Sequence, residues 1–315
     1  MANVTRPLIN QNEIRGFFRD VLDIDISDPK ELQNWADLIG YISECELTNV
    51  TFSDPKKSTL NSSDNRHSSY SEDKKRWELR TKIVQELLEK DRLDDDDKIK
   101  IGKGGAKPKG DVKHENEAFI IIGPPASGKS GFAGKIADSY GAYILDNDFS
   151  KRKFPEFNNL KSGATLLHEE SAAIMLPKNI SGMPATFKTL FQICVEKGAN
   201  IVIPKIGHNY VDIYSLAKLL KEKFNYKVHL IAISLDRKSA TFRALHRLKE
   251  TRRYVPLSLI FDGYGNEPIL SYYRLKRIYP KEFESFGKIS TDVPRAQKYE
   301  VIEFDENSPV SLFVK

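Results

Sequence analysis

Gly123-Pro124-Pro125-Ala126-Ser127-Gly128-Lys129-Ser130 completes the phosphate-binding pattern G-x-x-x-x-G-K-[ST]. The apolar run 118–122 before it predicts a buried strand, and residues 131–140 after it predict a helix. A loop between a strand and a helix points backbone N–H groups at the positive end of the helix, where they hold a polyphosphate. The sequence therefore predicts a nucleoside triphosphate site. In that site Lys129 reaches the β- and γ-phosphates, and Ser130 supplies a hydroxyl to Mg²⁺.

The composition suits one large α/β domain with a smaller appendage: 315 residues, 40% hydrophobic and 30% charged. We find no apolar secretory signal near the N-terminus and no run of eighteen apolar residues, so we expect a cytoplasmic protein, in its own cell or in a host cell. The net charge of +5 is compatible with nucleic acid, but a polyphosphate site needs cations too. No basic stripe is interleaved with aromatic residues, so the sequence favours neither a nucleic-acid nor a membrane partner.

Two amphipathic helical patterns open the chain, at 14–22 and 32–42. A strong helical pattern over 73–93 ends in Asp94-Asp95-Asp96-Asp97-Lys98, which we interpret as a solvated charge run. The predicted organisation is a helical N-terminal region (1–52), a polar linker (53–72), a helix with a flexible loop (73–113) and a P-loop kinase domain (114–315).

Strand and helix patterns alternate from His114 onward, which predicts parallel strands joined by helical crossovers. The predicted fold class is α/β: a P-loop kinase-like, doubly wound, mostly parallel sheet with a small α-helical N-terminal region. The stretch 252–298, rich in aromatic and basic residues, fits a helical insertion. Candidate strands are 118–122, 142–146, 200–204, 227–234 and 300–304, and the main helical patterns are 130–140, 165–176, 185–198, 210–224 and 237–251.

Two carboxylates follow the second predicted strand, in Asp146-Asn147-Asp148. The carboxyl end of a parallel strand lies beside the phosphate loop, where ligands bind. Two carboxylates there can divide two tasks: one holds Mg²⁺ and the other accepts a proton from an attacking hydroxyl. The alternative is a turn in which Asp146 and Asn147 cap the next segment. Together with the phosphate loop, the sequence favours catalytic use, with Asp146 at the metal.

These motifs resemble the zeta toxin family of P-loop kinases. The resemblance rests on the phosphate loop, on Leu145-Asp146-Asn147-Asp148, and on Phe149, Lys151 and Phe154-Pro155-Glu156-Phe157. It continues through Leu166-Leu167-His168-Glu169-Glu170-Ser171 and covers roughly residues 115–255. It implies a kinase that uses ATP and Mg²⁺, a toxin or effector role, and an antitoxin or chaperone partner.

The resemblance also implies roles for individual residues. The second aspartate of the family's Asp-Asn-Asp run is its catalytic base, and this role falls on Asp148. Arginines on a lid helix and in the segment after it clamp the phosphates, and Arg247 and Arg253 match best. Cationic forks aimed at the transferred phosphoryl group are what this chemistry needs. The alternative for both arginines is a solvated helix face.

The sequence departs from the family where the acceptor binds. A family Glu-Gly-Thr run after the third strand is replaced here by Pro204-Lys205-Ile206-Gly207-His208, and Lys188 stands where a family carboxylate aligns. Cations favour an anionic acceptor group over sugar hydroxyls. The usual acceptor of the family is UDP-N-acetylglucosamine, and an effector-type branch phosphorylates a ribose hydroxyl of NAD. The helix carrying Glu169, Glu170 and Ser171 is a further candidate acceptor contact.

Two other functions stay open. Polynucleotide-end kinases use a similar loop and aspartate, but they need stacking aromatic residues along a basic groove. A non-catalytic, nucleotide-dependent protein could bind a partner through its N-terminal helices. A pure switch has no need for a hydroxyl-activating base, so the paired carboxylates Asp146 and Asp148 favour a kinase.

Overall fold

The structure is a computed structural model that describes residues 5–159, 163–176, 180, 182–294 and 297–314. The first four residues of the predicted N-terminal region and the last residue of the predicted kinase domain lie outside these ranges. The helices are α1 (Gln11–Leu22), α2 (Pro29–Phe52), α3 (Asp73–Glu89), α4 (Lys129–Tyr140), α5 (Asn147–Lys151), α6 (Glu156–Asn159), α7 (Gly163–Leu166), α8 (His168–Met175), α9 (Leu190–Glu196), α10 (Tyr210–Phe224), α11 (Arg237–Thr251) and α12 (Glu267–Ile278).

Six strands form one twisted sheet. They are β1 (Glu117–Ile122), β2 (Tyr143–Ile144), β3 (Ile201–Lys205), β4 (Lys227–Ser234), β5 (Ser285–Ser290) and β6 (Glu300–Phe304). Their order is β2-β3-β1-β4-β5-β6, and every pair is parallel except β5 with the edge strand β6. The central strand β1 is buried from Ala118 onward, with helices on both sides of the sheet. The predicted fold class is thus confirmed.

The strand β5 was not among the predicted strands. It lies within 252–298, where the helix α12 also forms, so the helical insertion is only part of the observed structure. Its sequence carries serine, glycine and lysine, which weaken the strand signal. Gly287 is required there, since a Cβ would come within 2.4 Å of Val310 Cγ2. Tertiary packing therefore fixes a strand that local preference does not predict.

The N-terminal helices α1 and α2 share an apolar core with α11. Asn10 caps α1 through a capping box, and its buried face includes Phe17 and Phe18. These side chains belong to the same buried cluster as Leu245 and Leu248 of α11. The N-terminal helices therefore cover the helix that carries Arg247.

A buried ion network joins α3 to α6 and α8. Arg76 contacts Glu156 at 2.7 Å and Glu170 at 2.5 Å, and Arg80 contacts Glu170 at 2.7 Å. The Thr59 hydroxyl also donates to Glu170. Burial alone would raise the pKa of Glu170, but the two arginines outweigh it and lower the pKa to about 2. The interpretation of Glu170 as an acceptor contact is therefore wrong, because its carboxylate is enclosed among structural partners.

Within the described ranges, no helix combines the length and apolar character needed to cross a membrane.

Candidate active site

The phosphate loop follows the central strand β1 and ends at the first turn of α4, as the sequence predicts. Gly123 packs so tightly that a Cβ would meet the Ile233 carbonyl oxygen at 2.7 Å. Gly128 has a φ of +83° and caps α4, a conformation that suits glycine. The Thr291 hydroxyl, from the segment after β5, donates to the Ser127 carbonyl at 3.1 Å. This hydrogen bond links the phosphate loop to the end of β5.

Lys129 points into the loop. Its Nζ donates to the carbonyl oxygens of Gly123 at 2.8 Å and Pro124 at 2.6 Å. Burial lowers the pKa of Lys129 to about 8, although the nearby Asp146 favours the charged form. An ammonium that is desolvated in this way gains from an anionic ligand.

Asp146 and Asp148 lie at the start of α5, at the carboxyl end of β2. Asp146 caps α5 by accepting from the backbone N–H of Asp148 at 2.9 Å, so the capping interpretation is confirmed for this residue. Burial and the charge of Asp148 raise the pKa of Asp146 to about 6. Burial alone would raise the pKa of Asp148, but Lys151 and Arg253 hold it well below its usual range. The two carboxylates therefore have opposite electrostatic environments.

Arg253 reaches the predicted base. Its guanidinium pairs with Asp148 and lies 3.4 Å from Asp97. Lys151 Nζ contacts the other oxygen of Asp148 at 3.1 Å. Sequence reasoning placed Arg253 and Asp148 in one site from two motifs, and the structure brings them into contact.

Arg247 lies on α11, beside this network. Its Nε is buried without a hydrogen-bond partner, and none of the described carboxylates lies within ion-pair distance of its guanidinium. Burial, followed by the charges of Arg253 and Arg152, lowers the pKa of Arg247 to about 10 despite the attraction of Asp148 and Asp97. The surroundings on balance disfavour this cation, so the site as it stands is short of negative charge.

The acidic run 94–97 is not only a solvated surface feature, which corrects the sequence interpretation. Asp97 pairs with Arg152 at 2.6 Å, and burial raises the pKa of Asp96, although Arg152 and the Ser130 hydroxyl act to lower it. Asp94 and Asp95 are exposed, as predicted. The run lies over the phosphate loop because its flanks are fixed: Arg92 pairs with Asp138 of α4, and the buried Lys153 donates to the carbonyls of Lys100 and Lys103.

The candidate acceptor cations lie in different environments. Lys205 ends β3 near Asp146, and burial lowers its pKa. The ring of His208 packs 5.1 Å from that of Tyr264. Lys188 is half-exposed and paired with Glu196 at 2.6 Å, so its charge is already engaged.

Sequence reasoning missed Arg152 and Asp97, which complete the charge network. Arg152 follows Lys151, and a cation one turn after Asp148 was the available signal. For Asp97 the signal was the acidic run itself, but nothing local indicates its long-range partners. Arg243 of α11 donates to the Thr291 carbonyl at 2.5 Å and so links α11 to the segment that contacts the phosphate loop.

The residues present fit a bound nucleotide and Mg²⁺. The loop offers backbone N–H groups at a helix N-terminus, and the unpaired Nε of Arg247 is the kind of buried donor that a phosphate satisfies. No group of three His, Cys, Asp or Glu residues that could hold a metal exists within the described ranges.

The sheet order, the phosphate loop and the paired aspartates define a P-loop kinase fold and site. The profile of the Zeta toxin family matches residues 107–265, about half of the chain. The chain belongs to the zeta toxin family, and membership supports a toxin kinase, a kinase-type phosphotransferase. None of the curated proteins compared with it matches.

Three solved structures share parts of the fold. One is from the PezAT toxin–antitoxin system of Streptococcus pneumoniae, with 15% identity over 65% of this chain and 78% of that chain and a TM-score of 0.45. A native AvrRxo1-ORF1:-ORF2 complex has 16% identity over 81% of this chain and 74% of that chain, with a TM-score of 0.43. The AvrRxo1-ORF1:AvrRxo1-ORF2 structure with ATP has 14% identity over 78% of this chain and 70% of that chain, with a TM-score of 0.40. The family assignment rests on the sequence match rather than on these structures.

Proposed function

We propose that this protein transfers the γ-phosphoryl group of ATP to a hydroxyl of a nucleotide-linked acceptor. The acceptor oxygen forms the new P–O bond while its proton passes to Asp148. The bond between the γ-phosphorus and the bridging oxygen breaks, and its electron pair leaves with ADP. Ser130 and Asp146 would hold Mg²⁺, which neutralises charge on the phosphates when bound.

The unpaired Arg247 carries this proposal. A half-buried guanidinium with a buried, unpaired Nε and no carboxylate partner among the described residues, beside a second arginine, supports an anionic ligand at that position. Arginine forks stabilise the charge that develops on the transferred group. A non-catalytic switch would account for the loop but not for this arrangement around Asp148.

The contacts of Asp148 suggest how its basicity depends on substrate. Its pairing with Arg253 and Lys151 holds its pKa well below the usual range, which makes it a poor proton acceptor. A γ-phosphate that draws Arg253 away removes one of these cations. The pKa of Asp148 then rises when ATP is bound, which is when a base is needed. Without ATP in the site, Asp148 does not activate the acceptor hydroxyl.

The acceptor side favours a group with its own negative charge. Lys205 is half-buried near Asp146, and a partly desolvated ammonium gains from a phosphate or pyrophosphate. The neighbouring rings of His208 and Tyr264 suit the flat face of a base or a nicotinamide. A ribose hydroxyl of NAD is therefore our first candidate, and UDP-N-acetylglucosamine is the second.

The test is a transfer assay with purified protein, ATP-Mg²⁺ and three acceptors: NAD, UDP-N-acetylglucosamine and a 5′-hydroxyl oligonucleotide. We expect one acceptor to gain the mass of one phosphoryl group. Asp148→Asn should abolish transfer and keep ATP binding, whereas Lys129→Ala should lose both. Product on the oligonucleotide alone would favour a polynucleotide kinase, and ATP binding without any product would favour the non-catalytic alternative.

The cellular role follows from the family and is proposed on that ground alone. Induced wild-type protein should arrest growth in the cytoplasm of the producing or host cell, and Lys129→Ala should not. A chaperone or antitoxin encoded beside the gene should relieve the arrest on co-expression. Growth unaffected by an active wild-type kinase would contradict the toxin role.

A further inference from the structure

Both neighbours of Arg253 in the chain are fastened to the N-terminal helix α2. Tyr41 donates its hydroxyl hydrogen to the carbonyl oxygen of Arg252 at 3.0 Å, and the Arg252 guanidinium lies 5.3 Å from the centre of the Tyr41 ring. On the other side, the Tyr254 hydroxyl donates to the carboxylate of Glu46. The backbone on either side of Arg253 is thus anchored by residues about 210 positions away in sequence.

The same helix fixes the end of α11. Trp35 packs edge-on against His246 with ring centres 5.9 Å apart, and Lys249 Nζ lies 4.8 Å from the centre of the Trp35 indole. These contacts flank Arg247. After Thr251 the chain turns through Arg252, whose φ of +57° is unusual for a residue with a side chain. A left-handed arginine persists only where its surroundings determine it, and Tyr41 is the residue that holds its carbonyl.

The contact between Glu46 and Tyr254 requires the desolvation of a carboxylate, which costs free energy. Glu46 is only 9% exposed, and burial raises its pKa. Burial also raises the pKa of Tyr254 well above its ordinary value, so its hydroxyl keeps the donated proton. A pair of apolar side chains would fill this space without desolvating a carboxylate. A hydrogen-bonded buried pair does fix one side-chain geometry. Here the pair fixes the position of Tyr254, the residue that follows Arg253.

We infer that Tyr41 and Glu46 are positioning residues that aim Arg253 at Asp148, so that two side chains of α2 act on the site through Arg253. The inference rests on the proposed function of Arg253 as a phosphate clamp. The N-terminal region then acts as a brace for the lid, and its anchor points lie on either side of the guanidinium that reaches the base.

A double-mutant cycle tests this role. Glu46→Ala should lower kcat about ten- to a hundredfold, since small misplacements of a catalytic group cost that much. Glu46→Gln keeps an acceptor for Tyr254 and should recover most of the loss. Tyr41→Phe should produce a smaller decrease. Val50→Ala, at a position of α2 that is 63% exposed, is the matched control and should behave as wild type.

The decisive comparison is made in the Arg253→Ala background. If Glu46 acts through Arg253, Glu46→Ala should have almost no further effect there, whereas a general loss of folding would lower activity again. The inference would be overturned if the decreases in kcat of the two single variants multiply in the double variant. It would also be overturned if Glu46→Ala alone leaves kcat unchanged. The thermal midpoint of each variant, measured in parallel, shows that the proteins compared are folded.

The ATP affinity of the same variants separates this inference from the proposed function. Calorimetric titration needs no acceptor, and the same lack of additivity is expected in the dissociation constant. If Arg253→Ala binds ATP and transfers phosphate as well as wild type, the clamp role fails. If Arg253→Ala is impaired but Glu46→Ala and Tyr41→Phe are not, only the positioning role fails.

Discussion

The molecule contains two arginine clusters, one buried and one partly exposed, that differ in how their charges are met. The structural cluster links α3 to α6 and α8 and consists of Arg76, Arg80, Glu156 and Glu170. The site cluster lies at the carboxyl edge of the sheet and consists of Arg152, Arg247, Arg253, Asp97 and Asp148. In the first cluster both guanidinium groups contact a carboxylate. In the second, Arg152 and Arg253 share Asp97 and Asp148, and Arg247 has no carboxylate within ion-pair distance among the described residues.

We propose that this difference separates a structural from a functional use of the same residue types. Glu170 is enclosed by Arg76, Arg80 and Thr59, and its low pKa reports charges that stabilise each other. Arg247 has a lowered pKa because burial and neighbouring cations outweigh its distant carboxylates. Under the proposed function, a phosphate of the nucleotide supplies the negative charge that Arg247 lacks among the described residues.

Removing the shared carboxylate of the structural cluster should have the largest effect. Glu170→Ala removes the carboxylate of the buried Arg80 and leaves Arg76 with Glu156 alone, so we expect a loss of about 3–5 kcal/mol in the free energy of unfolding. Urea unfolding measures it. If Glu170→Ala does not fold, Glu170→Gln, which keeps hydrogen-bond acceptance, should fold and still lose stability. A wild-type midpoint in Glu170→Gln would contradict the structural role.

Removing Arg247 should lower activity rather than stability. Arg247→Met keeps roughly the length of the side chain and deletes a charge that its surroundings disfavour. The free energy of unfolding should therefore be unchanged or slightly higher. The rate of transfer should fall about 10³-fold, the lower end of what such arginines contribute. The matched control is Arg274→Met, an exposed arginine paired with Glu267 at 3.3 Å, which should change neither quantity.

Acid should affect the structural cluster in a defined pH range. The pKa of Glu170 is about 2 in the folded protein and near 4.5 when unfolded, so the unfolded chain binds the proton first. The stability from this group is complete above pH 4.5 and is lost as the pH falls toward 2, by roughly 3 kcal/mol. Urea unfolding at pH 5, 4 and 3 should show a steeper loss in wild type than in Glu170→Gln. Equal slopes would show that Glu170 is not held ionised by its arginines.

Most of the fold could be predicted because it follows from local patterns. The strand before the phosphate loop is a run of apolar residues, and β4 and β6 begin and end where the sequence predicts. The predicted strand 142–146 shortens to two residues because Asp146 leaves the sheet to cap α5. The predicted helix 73–93 ends at Glu89, where the chain turns toward the phosphate loop.

The site could be predicted only where a motif marks its residues. The phosphate loop, Asp146 and Asp148 each stand in a short pattern, and Arg247 and Arg253 follow from the family resemblance. Asp97 meets Arg253 across 156 positions, and no local preference encodes such a contact. The same holds for Glu170, whose partners on α3 turn a candidate acceptor residue into a structural one.

Nucleotide binding, measured as a shift in the thermal unfolding midpoint, tests the comparison between the structural cluster and the site cluster most directly. ATP-Mg²⁺ at a hundred times its dissociation constant should stabilise the wild type by about 2.7 kcal/mol. Arg247→Met should begin from a midpoint no lower than that of wild type and lose most of the shift. A lower midpoint without nucleotide, together with the full shift on adding it, would mean that Arg247 is a structural residue and that the phosphates bind elsewhere.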